Sequence, residues 1–220
     1  MDTIRLNGVL PHVFLHRKTE LQSAVWNQQI QFGKGECYLV EAASGQGKSS
    51  LCSFILGYRH DYDGKIEFCH SGGKDVDAKL LTANQWAEIR KQHISCLFQD
   101  LRLFPELTAL ENVEIKNRLT GFKSRKFIMD CFELLDIADK TDAKVGQMSF
   151  GQQQRVAVIR ALVQPFDFIL ADEPISHLDD QNAEAMGHLL VDEARQQGAG
   201  IIVTSIGKHL NLKYDKVLKL

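Results

Sequence analysis

Apolar residues along this chain fall into short continuous runs, separated by polar stretches whose apolar positions recur at helical spacing. The runs predict strands at residues 4–9, 30–32, 37–42, 65–68, 94–98, 168–171, 201–204 and 216–220. Phe127, Cys131, Leu134 and Leu135 share one helical face after Ser124, and Val156, Ile159, Ala161 and Val163 follow Gln154 in another helix. Leu178, Met186, Leu189 and Leu190 populate a third, and Leu51, Phe54 and Ile55 begin a further one. Continuous apolar strands alternating with helices predict an α/β fold whose parallel sheet is covered on both faces. The first 70 residues mix short strands with turns and predict an antiparallel β edge. Residues 101–161 read as almost wholly helical. The expected organisation is one domain over 1–220, with an α/β core at 1–100 and 162–220 and an inserted helical subdomain at 101–161.

Composition narrows the class. The chain has 220 residues, 44% hydrophobic and 25% charged, which excludes disordered and fibrous types. Its net charge of -2 is unlike the basic surface of a dedicated nucleic-acid binder, so no nucleic acid is expected as partner. The five cysteines form no C-x-x-C pair, which argues for reduced thiols and against a zinc site. No apolar run approaches the roughly 18 residues that span a bilayer, and residues 1–10 lack a signal-peptide core. Action on a membrane would then need another chain to do the spanning.

Two segments carry the chemistry. An apolar strand from Cys37 runs into Ala42, Ala43, Ser44, Gly45, Gln46, Gly47, Lys48, Ser49 and Ser50, and an apolar helix pattern follows. Glycines at 45 and 47 let the backbone turn tightly and aim N–H groups inward, and a helix N-terminus adds partial positive charge at the same point. Lys48 can reach β- and γ-phosphate oxygens, and the Ser49 hydroxyl suits Mg²⁺. This strand–loop–helix predicts a phosphate-binding P-loop core. The usual pattern places glycine where this chain has Ala42, a change that costs little if φ is negative. The second segment, 166–174, is an apolar strand ending in Asp172 and Glu173. At the carboxyl edge of a parallel sheet, Asp172 suits Mg²⁺ and Glu173 suits polarisation of an attacking water.

With these motifs the chain resembles the ABC ATPase family over nearly its whole length. Residues 148–155, Met-Ser-Phe-Gly-Gln-Gln-Gln-Arg, resemble the signature motif, usually L-S-G-G-Q; residues 176–179 resemble the D-loop. The resemblance implies a head-to-tail pair of cassettes, identical or not, in which Ser149, Gly151 and Gln152 of one subunit close over ATP held by the other. It places Gln99 at the metal and the attacking water, and Asp179 near the nucleotide. It also implies an integral membrane permease-like subunit on a separate chain, and a location on the cytoplasmic face of the inner membrane. The segment 98–113 is most similar to cassettes of lipoprotein release, macrolide export and cell division. There Leu101, Leu103, Phe104 and Leu107 either line a dock for the membrane subunit or pack the helical subdomain.

Three positions depart from the family pattern. These are Ala42, Phe150 in place of the first signature glycine, and Ser205 where the family usually has a γ-phosphate-contacting His. All three bear on the phosphate surroundings, so the expectation is a working but slow ATPase, with a nucleotide-gated binding module as the rival. For adenine stacking, Phe14 is the preferred platform.

Overall fold

The computed structural model describes residues 1–175 and 180–220. Strands β1 (Thr3–Pro11) and β2 (Gln29–Gly33) pair antiparallel, and the chain then enters β3 (Cys37–Glu41), which belongs to a different sheet. After helix α1 (Lys48–Ile55), β4 (Tyr62–Cys69) and β5 (Val76–Asp77) return to the first sheet, giving the antiparallel order β2-β1-β4-β5. Helix α2 (Ala83–Gln92) leads to β6 (Ile94–Leu97). Helices α3 (Ala109–Asn117), α4 (Arg125–Leu134) and α5 (Phe150–Leu162) follow, and no strand lies between β6 and β7 (Phe168–Asp172) among the described residues. Helix α6 (Asp180–Gln197), β8 (Gly200–Ser205) and β9 (Lys216–Lys219) complete the chain. The second sheet has the order β6-β7-β8-β3-β9, and all its pairs are parallel.

The α/β class, the parallel sheet and the antiparallel edge thus stand as the apolar runs predict. The reason is visible in the burial of the central strands. Leu39, Ile169, Ala171, Ile201 and Val203 face a core shared with the helices α3 to α6. Their strand neighbours Tyr38, Val40, Phe168, Leu170 and Ile202 face a second core, shared with α1, α2 and the antiparallel sheet. A strand buried on both faces has no polar positions to alternate with, so it reads as a continuous apolar run.

Helix α2 and the two-residue β5 escape that reading. Trp86 is the one buried residue of α2, so the helix has no apolar stripe. Its sequence signal is local instead: Thr82 and Gln85 form a reciprocal capping box. The third predicted helix is α6; Leu178, assigned to it from spacing, lies outside the described residues. Of the two expectations for the segment after β6, packing of the helical subdomain fits Leu101, which is buried, and Leu103, which packs against the same core; Leu107 is half-buried, and Phe104 stands out at 50% exposure. Buried Asn112 fixes this loop, donating to the Phe104 and Thr108 carbonyls and accepting from the Phe104 N–H.

At the opposite end of the parallel sheet, Asp167 gathers three nitrogen donors. The Met1 amine and His93 Nδ1 lie 2.6 Å from Oδ2, and Lys34 Nζ lies 2.6 Å from Oδ1. Burial alone would raise this carboxyl, but the hydrogen bonds from His93, Lys34 and the amine outweigh it and hold the group well below the usual carboxylate range. A depressed carboxyl stabilises the fold above its unfolded value, near pH 4, and that contribution disappears as pH falls through the folded value. Asp167→Asn is therefore expected to cost about 3 kcal/mol at pH 7. Urea titrations of both proteins should show this gap closing as the pH is lowered below about 4.

Candidate active site

Strands β3, β6, β7 and β8 are consecutive or near neighbours in the parallel sheet, and the candidate residues sit at or just past their carboxyl ends. β3 ends at Glu41 and continues into the glycine loop; β6 leads to Gln99; β7 ends in Asp172 with Glu173 next; β8 ends in Ser205. Such an edge is where open α/β sheets bind ligands.

The glycine loop is pre-shaped by its own backbone and by two aromatic rings. Gly45 and Gly47 have φ of 78° and 96°, values that residues with a side chain rarely adopt. Ala42 takes no positive φ, so the missing glycine carries no steric cost there. Its N–H donates to the Ser205 carbonyl at 3.1 Å, joining the loop to β8. Ala43 N–H donates to Gln46 Oε1 at 3.2 Å, and Trp26 Nε1 donates to the Gln46 carbonyl at 3.0 Å. A Cβ on Gly47 would lie 3.1 Å from Trp26 Cζ2 and 3.2 Å from Phe14 Cε2. Phe14 thus acts first as a wedge under the loop. At 8% exposure it offers little open face for stacking a base, although it does line a cavity of about 520 Å³ with Trp26, Ser44, Gly45 and Gln46. Trp26 is a loop-supporting residue that the spacing along the chain did not single out.

Lys48 opens α1 and is 5% exposed. Its Nζ donates to the carbonyls of Ala42 (3.0 Å) and Ala43 (3.1 Å) and lies 3.6 Å from Glu173 Oε1. Gln99 Nε2 donates to the other oxygen of Glu173 at 3.3 Å. Glu173 itself has φ 50°, a left-handed conformation for a residue with a side chain, and its N–H donates to the Thr204 carbonyl at 3.1 Å. Strain of this kind persists only where the surroundings fix it. The Asp172 carboxylate is buried and accepts the Thr204 hydroxyl, a bond that follows from the Asp172–Thr204 register of β7 and β8. Burial, and next the charge of Asp172, push the thiols of Cys52 and Cys96 upward, which keeps both neutral beside the site.

Ser49, Gln99 and Asp172 line one cavity of about 440 Å³. A hydroxyl, an amide oxygen and a single carboxylate are hard oxygen donors. Their number fits Mg²⁺, which takes few protein ligands and fills the rest of its octahedron from phosphate and water. Ser50 faces elsewhere, its hydroxyl accepting from Arg59 at 2.9 Å. Ser205 is fully buried; its hydroxyl donates to the Lys208 carbonyl at 2.6 Å and accepts from Gly207 N–H at 3.1 Å. Its one proton is therefore engaged by a turn, at the position where the family pattern has a γ-phosphate-contacting His.

The Ser149 motif opens α5. The Ser149 hydroxyl accepts from Gln152 N–H at 3.3 Å, and Gln152 Oε1 accepts from Ser149 N–H at 2.9 Å, a complete capping box. Phe150 and Gly151 follow in the first turn, and the Phe150 ring is 43% exposed. Further along the helix, Gln154 donates its amide to the Pro174 carbonyl, which links this helix to the loop carrying Glu173. Asp179 lies outside the described residues.

The family profile described as "ABC transporter" matches residues 26–176, from Trp26 through the glycine loop and the Ser149 motif to the acidic strand end. The chain belongs to the ABC transporter ATP-binding cassette family. The ABC transporter ATP-binding protein YtrE of Bacillus subtilis is 32% identical over 200 residues, 86% of this chain and 84% of that protein. The lipoprotein-releasing system ATP-binding protein LolD of Oleidesulfovibrio alaskensis is 30% identical, over 87% of this chain and 82% of that protein. Among solved structures, the cassette MJ0796 of Methanocaldococcus jannaschii, a dimer in a post-hydrolysis state bound to ADP and Pi, aligns with a TM-score of 0.75. That alignment is 26% identical and covers 92% of this chain and 87% of the other. No helix among the described residues is long and apolar enough to cross a membrane.

Proposed function

We propose that this cassette binds ATP with Mg²⁺ and hydrolyses it slowly, and that two such cassettes close over two nucleotides to drive a separate membrane subunit. The observation that carries the reading is the convergence of Lys48, Gln99 and Asp172 around Glu173 at one sheet edge. Phosphate oxygens would take the loop N–H groups and the N-terminus of α1. They would also draw Lys48 Nζ away from the Ala42 and Ala43 carbonyls and from Glu173. Glu173 would then be free to orient water and accept its proton, with Gln99 holding the second carboxylate oxygen. Mg²⁺ on Ser49, Gln99 and Asp172 would supply charge neutralisation at the transferred phosphoryl group. The base would lie in the cavity walled by Phe14 and Trp26.

Ser149, Gly151 and Gln152 of a second cassette would close over the γ-phosphate, and Asp179 would approach the same interface. In this reading residues 101–161 form the subdomain that carries the capping motif, and the assembly works at the cytoplasmic membrane face. Export or lipoprotein release, as in the relative named for the latter, is the proposed class of task.

A second reading has direct support: ATP could gate assembly with little cleavage. The exposed Phe150 ring stands at the capping motif, and the Ser205 hydroxyl is bound elsewhere. Calorimetry of the purified protein with Mg²⁺ and ATP is the first test of either. Saturable heat is expected; no heat at millimolar ATP, with or without the membrane partner, contradicts both.

A further inference from the structure

The turn that follows Gln99 is held in a conformation its residues disfavour. Leu101 and Arg102 have φ of 56° and 49°, where Cβ crowds the next carbonyl, and neither is glycine. Local bonds close the turn, Leu101 N–H to the Phe98 carbonyl at 3.0 Å and Arg102 N–H to the Asp100 carbonyl at 2.6 Å. The carbonyls of the two strained residues are taken by one side chain. Arg160 Nη2 donates to the Leu101 carbonyl and Nη1 to the Arg102 carbonyl, each at 2.5 Å.

Arg160 sits in the last turn of α5, about 16 Å along the helix from Ser149 at 1.5 Å per residue. Burial pushes its guanidinium down to about 10, so it stays charged at neutral pH. Lys116 nearby is pushed down to about 8 by burial and by the charge of Arg160. A planar fork on two successive carbonyls fixes their relative orientation, which a single ammonium cannot do. The Gln99–Glu173 hydrogen bond, at 3.3 Å, is at the long end of the usual range, so the backbone behind Gln99 shares in its placement.

We propose that Arg160 is a positioning residue: its guanidinium clamps Leu101 and Arg102 in the left-handed turn that sets Gln99 against Glu173. The clamp stands on the geometry alone; its effect on turnover rests on the ATPase reading of the site.

Hydrogen exchange on the full chain tests the clamp without reference to activity. In Arg160→Met, the Leu101 and Arg102 amides should exchange about tenfold faster, the scale of a lost charge-assisted hydrogen bond, while residues 51–55 keep their protection. Arg160→Lys keeps the charge and much of the packing but not the fork, and should show the same local loss at smaller amplitude. Unchanged protection at 101–102 in both variants, or loss spread evenly over α5, overturns the clamp. In the same variants, kcat for ATP should fall about tenfold with Kd for ATP, measured without Mg²⁺, unchanged; a parallel loss of that metal-free affinity would mark a general folding defect and overturn the positioning role. Absence of hydrolysis in the parent protein would defeat the ATPase reading, and the exchange result would still decide the clamp.

Discussion

Glu173→Gln should abolish most turnover, lowering steady-state phosphate release about 10²–10⁴-fold while leaving ATP binding intact. The substitution preserves shape but removes the carboxylate proposed to take a proton from water. Its position is over-determined: the left-handed backbone is tied to β8 through the Thr204 carbonyl, and both carboxylate oxygens are engaged, by Lys48 and Gln99. An amide cannot pair with Lys48 as a carboxylate does, so Lys48 is more available to phosphate in the variant. Affinity for ATP is expected to hold or rise slightly. Equal phosphate release by the two proteins would remove Glu173 from the mechanism.

Lys48→Met should act on the opposite quantity, raising Kd for ATP roughly 10–100-fold, the equivalent of one lost charge-assisted hydrogen bond of about 1.5–3 kcal/mol. Methionine approximates the aliphatic stem, so the packing around α1 is largely kept. The loss has a second part. Lys48 is 5% exposed and serves the Ala42 and Ala43 carbonyls as well as Glu173, so its removal leaves two carbonyls and a carboxylate short of a partner. Thermal stability should therefore fall along with affinity, and calorimetry beside a melting curve separates the two. A variant that binds ATP as tightly as the parent would mean that phosphate is held elsewhere.

Much of this was legible from residues alone because the relevant signals are local. The apolar runs of the parallel strands, the glycine spacing before Lys48 and the carboxylates ending the run at 168–172 each follow from short-range chemistry. What escaped depends on long-range placement. Trp26 reaches Gly47 and Gln46 only after the chain has folded back across β1. Thr204 meets Asp172 through strand register, and Arg160 meets Leu101 from the far end of another helix. Phe14 and Ser205 show the converse. Motif position suggested nucleotide contacts for both; the fold gives each a further task, the ring beneath the glycine loop and the hydroxyl in a tight turn.

Single-turnover cleavage tests the central claim most directly: protein in excess over ATP, with Mg²⁺, stopped at intervals and assayed for phosphate. The expected result is release of phosphate from the bound nucleotide at a slow but measurable rate, absent in Glu173→Gln. Nucleotide that remains bound and uncleaved to the same extent in both proteins would contradict it, and leave a cassette that reads ATP without hydrolysing it.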